Sequence, residues 1–406
     1  MTHAERLLAL QQLLNDHQAL WRPQPFKQQR PDWCRQHPQL SDALLALSDS
    51  ELARLMADQT ALWAWLAAYL PVMGQLRALC TLPQAAGSVA HPEQEPGPHF
   101  ANHIPGRKWQ QIGAFAAAMQ PVAGPVLEWC GGKGHLGRLV SWQSGVAVTT
   151  VEHNPKLCAE GRQLAERSGQ PQGFVCADVL REIACLLRPT THAVALHACG
   201  ELHRHLLRQV VDQGVQALDL APCCYHHLLD GDYQPMSHRA SLVLQRDDLR
   251  LAVTGAATAT ARELRLRDQE MAWKLGYLAL LATMGEAYRP LRPINKAWMR
   301  LDFTGFCQCL AQREGDELPS GLNWEALERH GWQRQRDSQR LSLLRLAFRR
   351  AIELYLVLDM ACYLEEQGYQ VRVQLFCRPD LTPRNFLLSA ALAENPAAGR
   401  ILHFAG

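Results

Sequence analysis

Three carboxylates recur at strand-like intervals: Glu128 in VLEWCGGKGHLG, Glu152 in VAVTTVEHN and Asp178 in GFVCADVL. Each closes a short apolar run, so each stands at the end of an expected β-strand. After the first comes Gly132-Lys133-Gly134-His135-Leu136-Gly137, a G-x-G-x-x-G turn that suits a pyrophosphate or another ligand needing close backbone. A carboxylate at Glu128 repels a pyrophosphate and attracts an ammonium. Glu152 is spaced to accept both ribose hydroxyls, which serves nicotinamide and methionine cofactors alike. Asp178 is spaced to take an adenine amino group. Taken singly, Glu152 reads as a solvated strand end and Asp178 as a helix N-cap. Taken together, the three acids favour S-adenosylmethionine, which has an ammonium, a sulfonium and no phosphate. Cys130, Gly131, His153 and Val179 flank these positions and join the expected cofactor contacts. Arg107 and Lys108 open the helix before the loop and face either the cofactor carboxylate or solvent.

A second group of reactive side chains lies in LHACGELH (196–203) and DLAPCCYHH (219–227). Ligands of an open parallel sheet bind beyond the carboxyl ends of its strands, which gathers His197, Cys199, Cys223, Cys224, Tyr225, His226 and His227 near the transferable methyl. Three readings stay open. His197, Cys223, Tyr225 and His226 form an acceptor pocket, with His197 or His226 as a base and orientation supplying much of the rate. Alternatively the thiols are buried structural groups with surface histidines. The third is zinc, but Cys223 and Cys224 are adjacent and no C-x-x-C pair anchors a tetrahedron, so no metal is expected. The Asn/Asp-Pro-Pro-Tyr segment of many amino-group methyltransferases is absent; Ala221-Pro222-Cys223-Cys224-Tyr225 shares only a proline and an aromatic with it.

These residues need a scaffold. From about 100 to 228, helical and strand patterns alternate: GRKWQQIGAFAAAM, PVLEWC, a helix from about His135, VAVTTVE, NPKLCAEGRQLAERSG, GFVCAD, THAVALHACG, ELHRHLLRQVVDQG and QALDLAP. This predicts an α/β fold with a doubly wound parallel sheet. The first eighty residues or so read as helices, with Ser41-Asp42 and Ser48-Asp49 as N-cap signals, and AAGSVAHPEQEPGPHFANHIPG reads as a linker. From about 235 to 365 the chain is helical and rich in Arg. YQVRVQLFC and FLLSAAL, joined by RPDLTPRN, read as strands that complete the sheet, with Thr382, Pro383, Arg384 and Asn385 in a tight hairpin. The expected divisions are 1–95, an N-terminal helical region and linker; 96–234, a Rossmann-like core; 235–365, a helical insertion; and 366–406, the closing strands.

The stretch 100–228, with GGKGH, HxCG and CCY, resembles class I S-adenosylmethionine-dependent methyltransferases. It is similar to a branch that includes methyltransferase-like proteins, the methyltransferase domain of glutathione S-transferase C-terminal-domain proteins and tRNA ribose 2′-O-methyltransferases. The resemblance covers roughly a third of the chain plus the TPRN turn. It implies a seven-stranded Rossmann-like sheet with an antiparallel last strand, Glu128, Gly132 and Gly134 on the glycine loop, Glu152 as the ribose acid and Asp178 as the adenine acid. Cys130 departs from the pattern, standing where the first loop glycine is usual.

The composition, 48% hydrophobic and 20% charged, is that of a globular chain without a membrane-spanning run. MTHAERLLALQQLLNDH reads as an amphipathic helix, not a signal peptide. Thirteen scattered cysteines fit reduced thiols in a cytoplasm. Arg334, Arg345 and Arg349 with Trp332 and Phe348, and Arg289, Arg292, Lys296 and Arg300 with Trp298, suggest phosphate contacts and base stacking, which favours RNA (tRNA or rRNA) as acceptor. The plain alternative is a solvated helix face paired with its own acids. A protein acceptor, a small-molecule acceptor, a cofactor-binding RNA or assembly module without turnover, and a nicotinamide (NAD) oxidoreductase are the other readings.

Overall fold

The computed structural model describes residues 1–85, 96–97, 100–102, 104–122, 124–181, 186–254 and 261–393. The linker expected at 85–106 lies mostly outside the described residues. The chain divides into two compact units. One holds 1–15, 78–253 and 350–406, and the other holds 16–77 and 254–349. Composition shifts suggest boundaries at 95, 234 and 365 instead. Nothing in the sequence marks the break at 349/350, because one uninterrupted helix, Trp324–Glu366, runs through it.

The first unit carries the sheet. Its strands are β1 Val126–Trp129, β2 Val148–Glu152, β3 Gln172–Cys176, β4 His192–Cys199, β5 Ala217–Cys223, β6 Tyr369–Leu375 and β7 Phe386–Leu392, in the order β3-β2-β1-β4-β5-β7-β6. β1 to β5 pair in parallel, whereas β7 is antiparallel to both β5 and β6. The seven strands and the antiparallel last one are those the sequence leads one to expect. Parallel strands covered on both faces read as apolar runs. Leu127, Val151, Ala193, Val194, Ala195, Leu218 and Leu220 are accordingly all buried.

The helices alternate with the strands: α1 Gly106–Ala118 before β1, α2 His135–Ser144 after it, α3 Pro155–Ser168 after β2, α4 Glu201–Asp212 after β4 and α5 Arg246–Ala252 beyond β5. Their ends follow local chemistry. Asn154 caps α3, its side chain accepting from the Lys156 and Leu157 N–H groups, and Gly145 and Gly169 end α2 and α3 in the left-handed conformation. The β6–β7 connection is not the tight hairpin expected. It runs through 376–385, with the Asn385 side chain donating to the Cys377 carbonyl (2.6 Å) and the Phe376 N–H to the Asn385 carbonyl.

One polar cluster sits inside the apolar sheet. Asp219 of β5 is fully buried and accepts from His192 Nε2 of β4 (2.8 Å), from Ser389 Oγ of β7 and from the Gln120 N–H (3.2 Å). A buried carboxylate needs such partners, and removing it leaves them without an acceptor.

In the second unit the helix at Asp49–Ala57 starts as expected: Ser48 and Glu51 form a reciprocal capping box. Ser41 is not a cap. It is buried within the helix Pro38–Leu45, whose start is set by proline in its first turn. The Arg-rich stretch is also different from the expected basic face. Phe348 is fully buried, Arg340 donates to the Leu47 carbonyl and Asp49, Arg345 to the Trp21 carbonyl, and Arg349 to Gln59. These arginines hold helices together. Lys296 and Arg300 are exposed on a short 3-10 turn with half-buried Trp298, whose ring carries the Arg313 guanidinium 5.1 Å from its centroid.

Among the described residues no helix is long and apolar enough to cross a membrane. For the sheet, Asp219→Ala is expected to cost about 3–5 kcal/mol of folding free energy, measured by urea unfolding. A loss under about 1 kcal/mol would show that the cluster is not a support of the β4-β5-β7 junction.

Candidate active site

The glycine loop between β1 and α2 is shaped from below. Glu128 is almost fully buried, and its Oε2 accepts from Thr150 Oγ1 of β2 (2.7 Å). Gln172 of β3 donates to Thr150 Oγ1 (2.8 Å) and to the Gly134 carbonyl (2.8 Å). Three neighbouring strands thus send polar side chains up beneath one turn. A Cβ at Gly131 would meet the Glu128 carboxyl carbon at 2.5 Å, and one at Gly137 would meet its Oε2 at 2.6 Å. The glycines make room for the acid below them. Burial pushes the Glu128 carboxyl up to about 7, against the hydrogen bonds from Thr150 and the Gly137 N–H that favour its charged form. The side chain set to face an ammonium is therefore turned inward.

The upper side of the loop is different. A Cβ at Gly132 would have nothing within 4 Å, so this face is open. Glu152 Oε2 accepts the Gly132 N–H (3.1 Å) and its Oε1 the Asn154 N–H (3.0 Å). Lys133 turns away to Glu160 of α3 (2.6 Å). The loop's lysine is thus paired with an acid, and the Gly132 N–H already faces a carboxylate. Both features disfavour a bound pyrophosphate and suit a cofactor without one. A carboxylate has lone pairs to spare after two such bonds, so Glu152 is still able to accept ribose hydroxyls.

Cys130, the departure from the glycine pattern, adopts φ +54°. A left-handed non-glycine residue costs on the order of 1 kcal/mol, so the turn keeps the geometry that a glycine would give. Burial first and the Glu152 charge second push its thiol up to about 12, which keeps it neutral.

The other expected cofactor residues are scattered in environment. Asp178 is partly exposed and accepts the Leu180 N–H (3.0 Å), Val179 is buried, and His153 is exposed with Nδ1 3.0 Å from Glu152. Arg107 does not reach toward the loop: it donates to the Leu381 (2.7 Å) and Asp380 (3.2 Å) carbonyls of the β6–β7 connection. Lys108 is exposed, and its charge acts on Glu128, His135 and His197.

At the next edge, β4 and β5 bring the second group together. Their register slips between Leu196 and Ala198, where His197 takes φ +64°. Burial, then the charge of Arg384, lowers the His197 imidazole to about 4, leaving it neutral near pH 7. Cys223 Sγ lies 3.3 Å from the His197 carbonyl and 3.2 Å from Cys199 Sγ. Cys224 has φ +45°, and its thiol is lowered by hydrogen bonds from Cys199 and Cys223, with Arg384 and His226 assisting against burial. His226 is half-buried and is lowered by burial. Tyr225 lies in the interior, edge-on to His203 at 5.7 Å, rather than on an open pocket wall.

Gly200 locks these two segments. Its N–H donates to the Cys223 carbonyl and the Glu201 N–H to the His227 carbonyl. A Cβ here would stand 2.0 Å from the His227 carbonyl oxygen, at φ +55°. The glycine of HACG is needed because the CCYHH turn rests on it. Thr150 and Gln172 are not flagged by the sequence reading. Their only signal is polarity at inward positions of otherwise apolar strands.

Residues 107–231 match a family model described as a methyltransferase domain. Solved structures that match parts of the chain include one described by the conversion of a disulfide bond into a thioacetal group during echinomycin biosynthesis. It is 15% identical, the match covers 27% of this chain and 55% of that one, and the TM-score is 0.21. The chain spans just over half of that structure. The glycopeptide N-methyltransferase MtfA complexed with S-adenosyl-L-methionine is 21% identical over 37% of this chain and 72% of that one (TM-score 0.24). The cyclopropane synthase MmaA2 from Mycobacterium tuberculosis is 14% identical over 87% and 97% (TM-score 0.25). The matched segment holds strands β1 to β5 with the glycine loop, so the parallel part of the sheet is what matches the methyltransferase-domain model.

Two outcomes follow from the loop. A carboxyl whose folded pKa is raised makes stability fall as pH rises from its ordinary 4.5 to about 7, and adds nothing further above that. Glu128→Gln should remove this slope, gaining about 3 kcal/mol on wild type between about pH 5 and 8 by urea unfolding. Parallel pH profiles for the two proteins would contradict the buried position. For the second edge, Gly200→Ala should lower stability by about 2–4 kcal/mol in thermal or urea unfolding. A shift under about 0.5 kcal/mol would mean that the turn does not rest on Gly200.

Proposed function

We propose that the protein transfers the methyl group of S-adenosylmethionine to RNA, with the open face at Gly132 and the Glu152 carboxylate holding the cofactor. The carrying observation is the loop itself: packed full from beneath, open above, with its N–H on an acid and its lysine turned away. When bound, the cofactor supplies an electrophilic methyl on a sulfonium. Glu152 accepts the ribose hydroxyls, Asp178 the adenine amino group, and Lys108 supplies positive charge on the side of the cofactor carboxylate. Arg107, spent on the 380–381 carbonyls, holds α1 against the closing strands instead.

At the β4 and β5 edge, the residues act by position. A neutral His197 imidazole accepts a hydrogen bond from an acceptor N–H or O–H, and His226 lies at the solvent side of the same edge. In-line displacement rewards such orientation more than strong bases. Cys223 and Tyr225 are read as supports for this edge, since both are buried.

RNA is favoured by Lys296 and Arg300, exposed on the 3-10 turn, which suit phosphate contacts. The inward arginines of the long helix give it no support. Incubation with methyl-labelled cofactor and either bulk tRNA and rRNA or cell protein decides the acceptor. We expect RNase-sensitive label that falls at least about 100-fold in Glu152→Ala, the loss of about 3 kcal/mol of charged hydrogen bonds to the cofactor. Protease-sensitive label would establish a protein acceptor, and cofactor binding without label on either would favour a binding module. Binding of NAD in place of S-adenosylhomocysteine would overturn the cofactor reading of the whole chain.

A further inference from the structure

We propose that Cys199, Cys223 and Cys224 form a three-thiolate Zn2+ site at the carboxyl ends of β4 and β5, with a fourth position for another donor. Their sulfur atoms all lie within 4.8 Å of one another, and Cys199 and Cys223, register partners on adjacent strands, are 3.2 Å apart. Sulfurs bound to one zinc at about 2.3 Å with tetrahedral angles stand about 3.8 Å apart. The observed range brackets that spacing, so small side-chain movements suffice to close the set around one ion.

Adjacent cysteines are poor candidates on spacing alone, because neighbours on a strand point to opposite faces. The backbone removes this objection. β5 ends at Cys223, and Cys224 follows in the left-handed conformation at φ +45°, which turns its thiol to the side of Cys223. The expectation of no metal rested on adjacent cysteines and the missing C-x-x-C pair, and the turn at Cys224 answers the first of these.

The surroundings also lack partners that a metal shell would use. Nδ1 of His197 and Nδ1 of His226 are buried without a hydrogen-bond partner among the described residues. Neither ring nitrogen belongs to the set of donor atoms within 4.8 Å of one another, so the fourth position falls to an exogenous donor such as water, to which an imidazole can hydrogen-bond. Three thiolates on Zn2+ sum to one negative charge, and the Arg384 guanidinium, whose charge acts on His197, Cys199 and Cys224, offsets it.

Two plainer accounts explain less. A Cys199–Cys223 disulfide would use two sulfurs and leave Cys224 beside them without a role. Simple packing of small apolar thiols fits Cys223, but Cys199 and Cys224 are only half-buried.

The full-length protein, reduced with a phosphine, treated with a chelator and freed of it, is titrated with Co2+ and then Zn2+. We expect one equivalent of Co2+ to give sulfur-to-cobalt charge-transfer absorption and strong visible bands, both abolished by Zn2+. Cys199→Ser and Cys224→Ser should each weaken uptake at least about 10-fold. Zinc-edge X-ray absorption of the wild-type holoprotein needs no variant and should count three sulfur neighbours. A folded, fully reduced protein without the charge-transfer band, or with fewer than three sulfurs on its zinc, would overturn the site. Calorimetry with S-adenosylhomocysteine on the same sample reads the cofactor site separately, so failure of one proposal does not imply failure of the other.

Discussion

The carboxyl edge of this sheet depends on how closely side chains of β1, β2 and β3 rise beneath the glycine loop. Glu128, Thr150 and Gln172 form a continuous hydrogen-bonded ladder under it, ending on the Gly134 carbonyl. The carboxyl group of Glu128 occupies the space where side chains at 131 and 137 would otherwise stand. That fixes the loop height, leaves Gly132 open above, and brings its N–H to Glu152. The same glycine pattern that elsewhere serves a phosphate here serves a buried acid below and a second acid above. A polar network this deeply buried rigidifies the turn only because nearly every member has a partner.

The second organising feature is left-handed backbone at strand ends. Cys130 follows β1, His197 interrupts β4, and Cys224 follows β5, each with positive φ and none a glycine. Such residues cost on the order of 1–3 kcal/mol each and persist where surrounding structure holds them. Gly200 supplies much of that hold for the β4 and β5 ends by seating the 223–227 turn directly on its backbone. Strain at this edge re-aims side chains that an ordinary strand would send apart.

The core was legible in the sequence because its signals are local. Alternating apolar runs and helical spacing locate β1 to β5, and the strand-end acids in register lead to the proposal of S-adenosylmethionine. The inward turn of Glu128 was not legible, since a strand-end acid reads the same whether it faces a ligand or the underside of a loop. Only long-range neighbours, Thr150 and Gln172, decide it. Arg334, Arg345 and Arg349 with Phe348 looked like a nucleic-acid face, but composition does not reveal that Phe348 and the Arg345 and Arg349 head groups are used in helix packing. Adjacent cysteines likewise hid their convergence, which rests on one backbone angle at Cys224. Helices at 16–77 and 254–349 belong to one unit that no composition shift announces.

The most direct measurement is a crystal structure of the complex with S-adenosylhomocysteine. The account predicts the ribose hydroxyls on the Glu152 carboxylate and the nucleoside passing over Gly132, with Glu128 still hydrogen-bonded to Thr150 beneath the loop. A ligand bound away from Gly132, or Glu128 rotated out to contact the amino acid moiety directly, would contradict it.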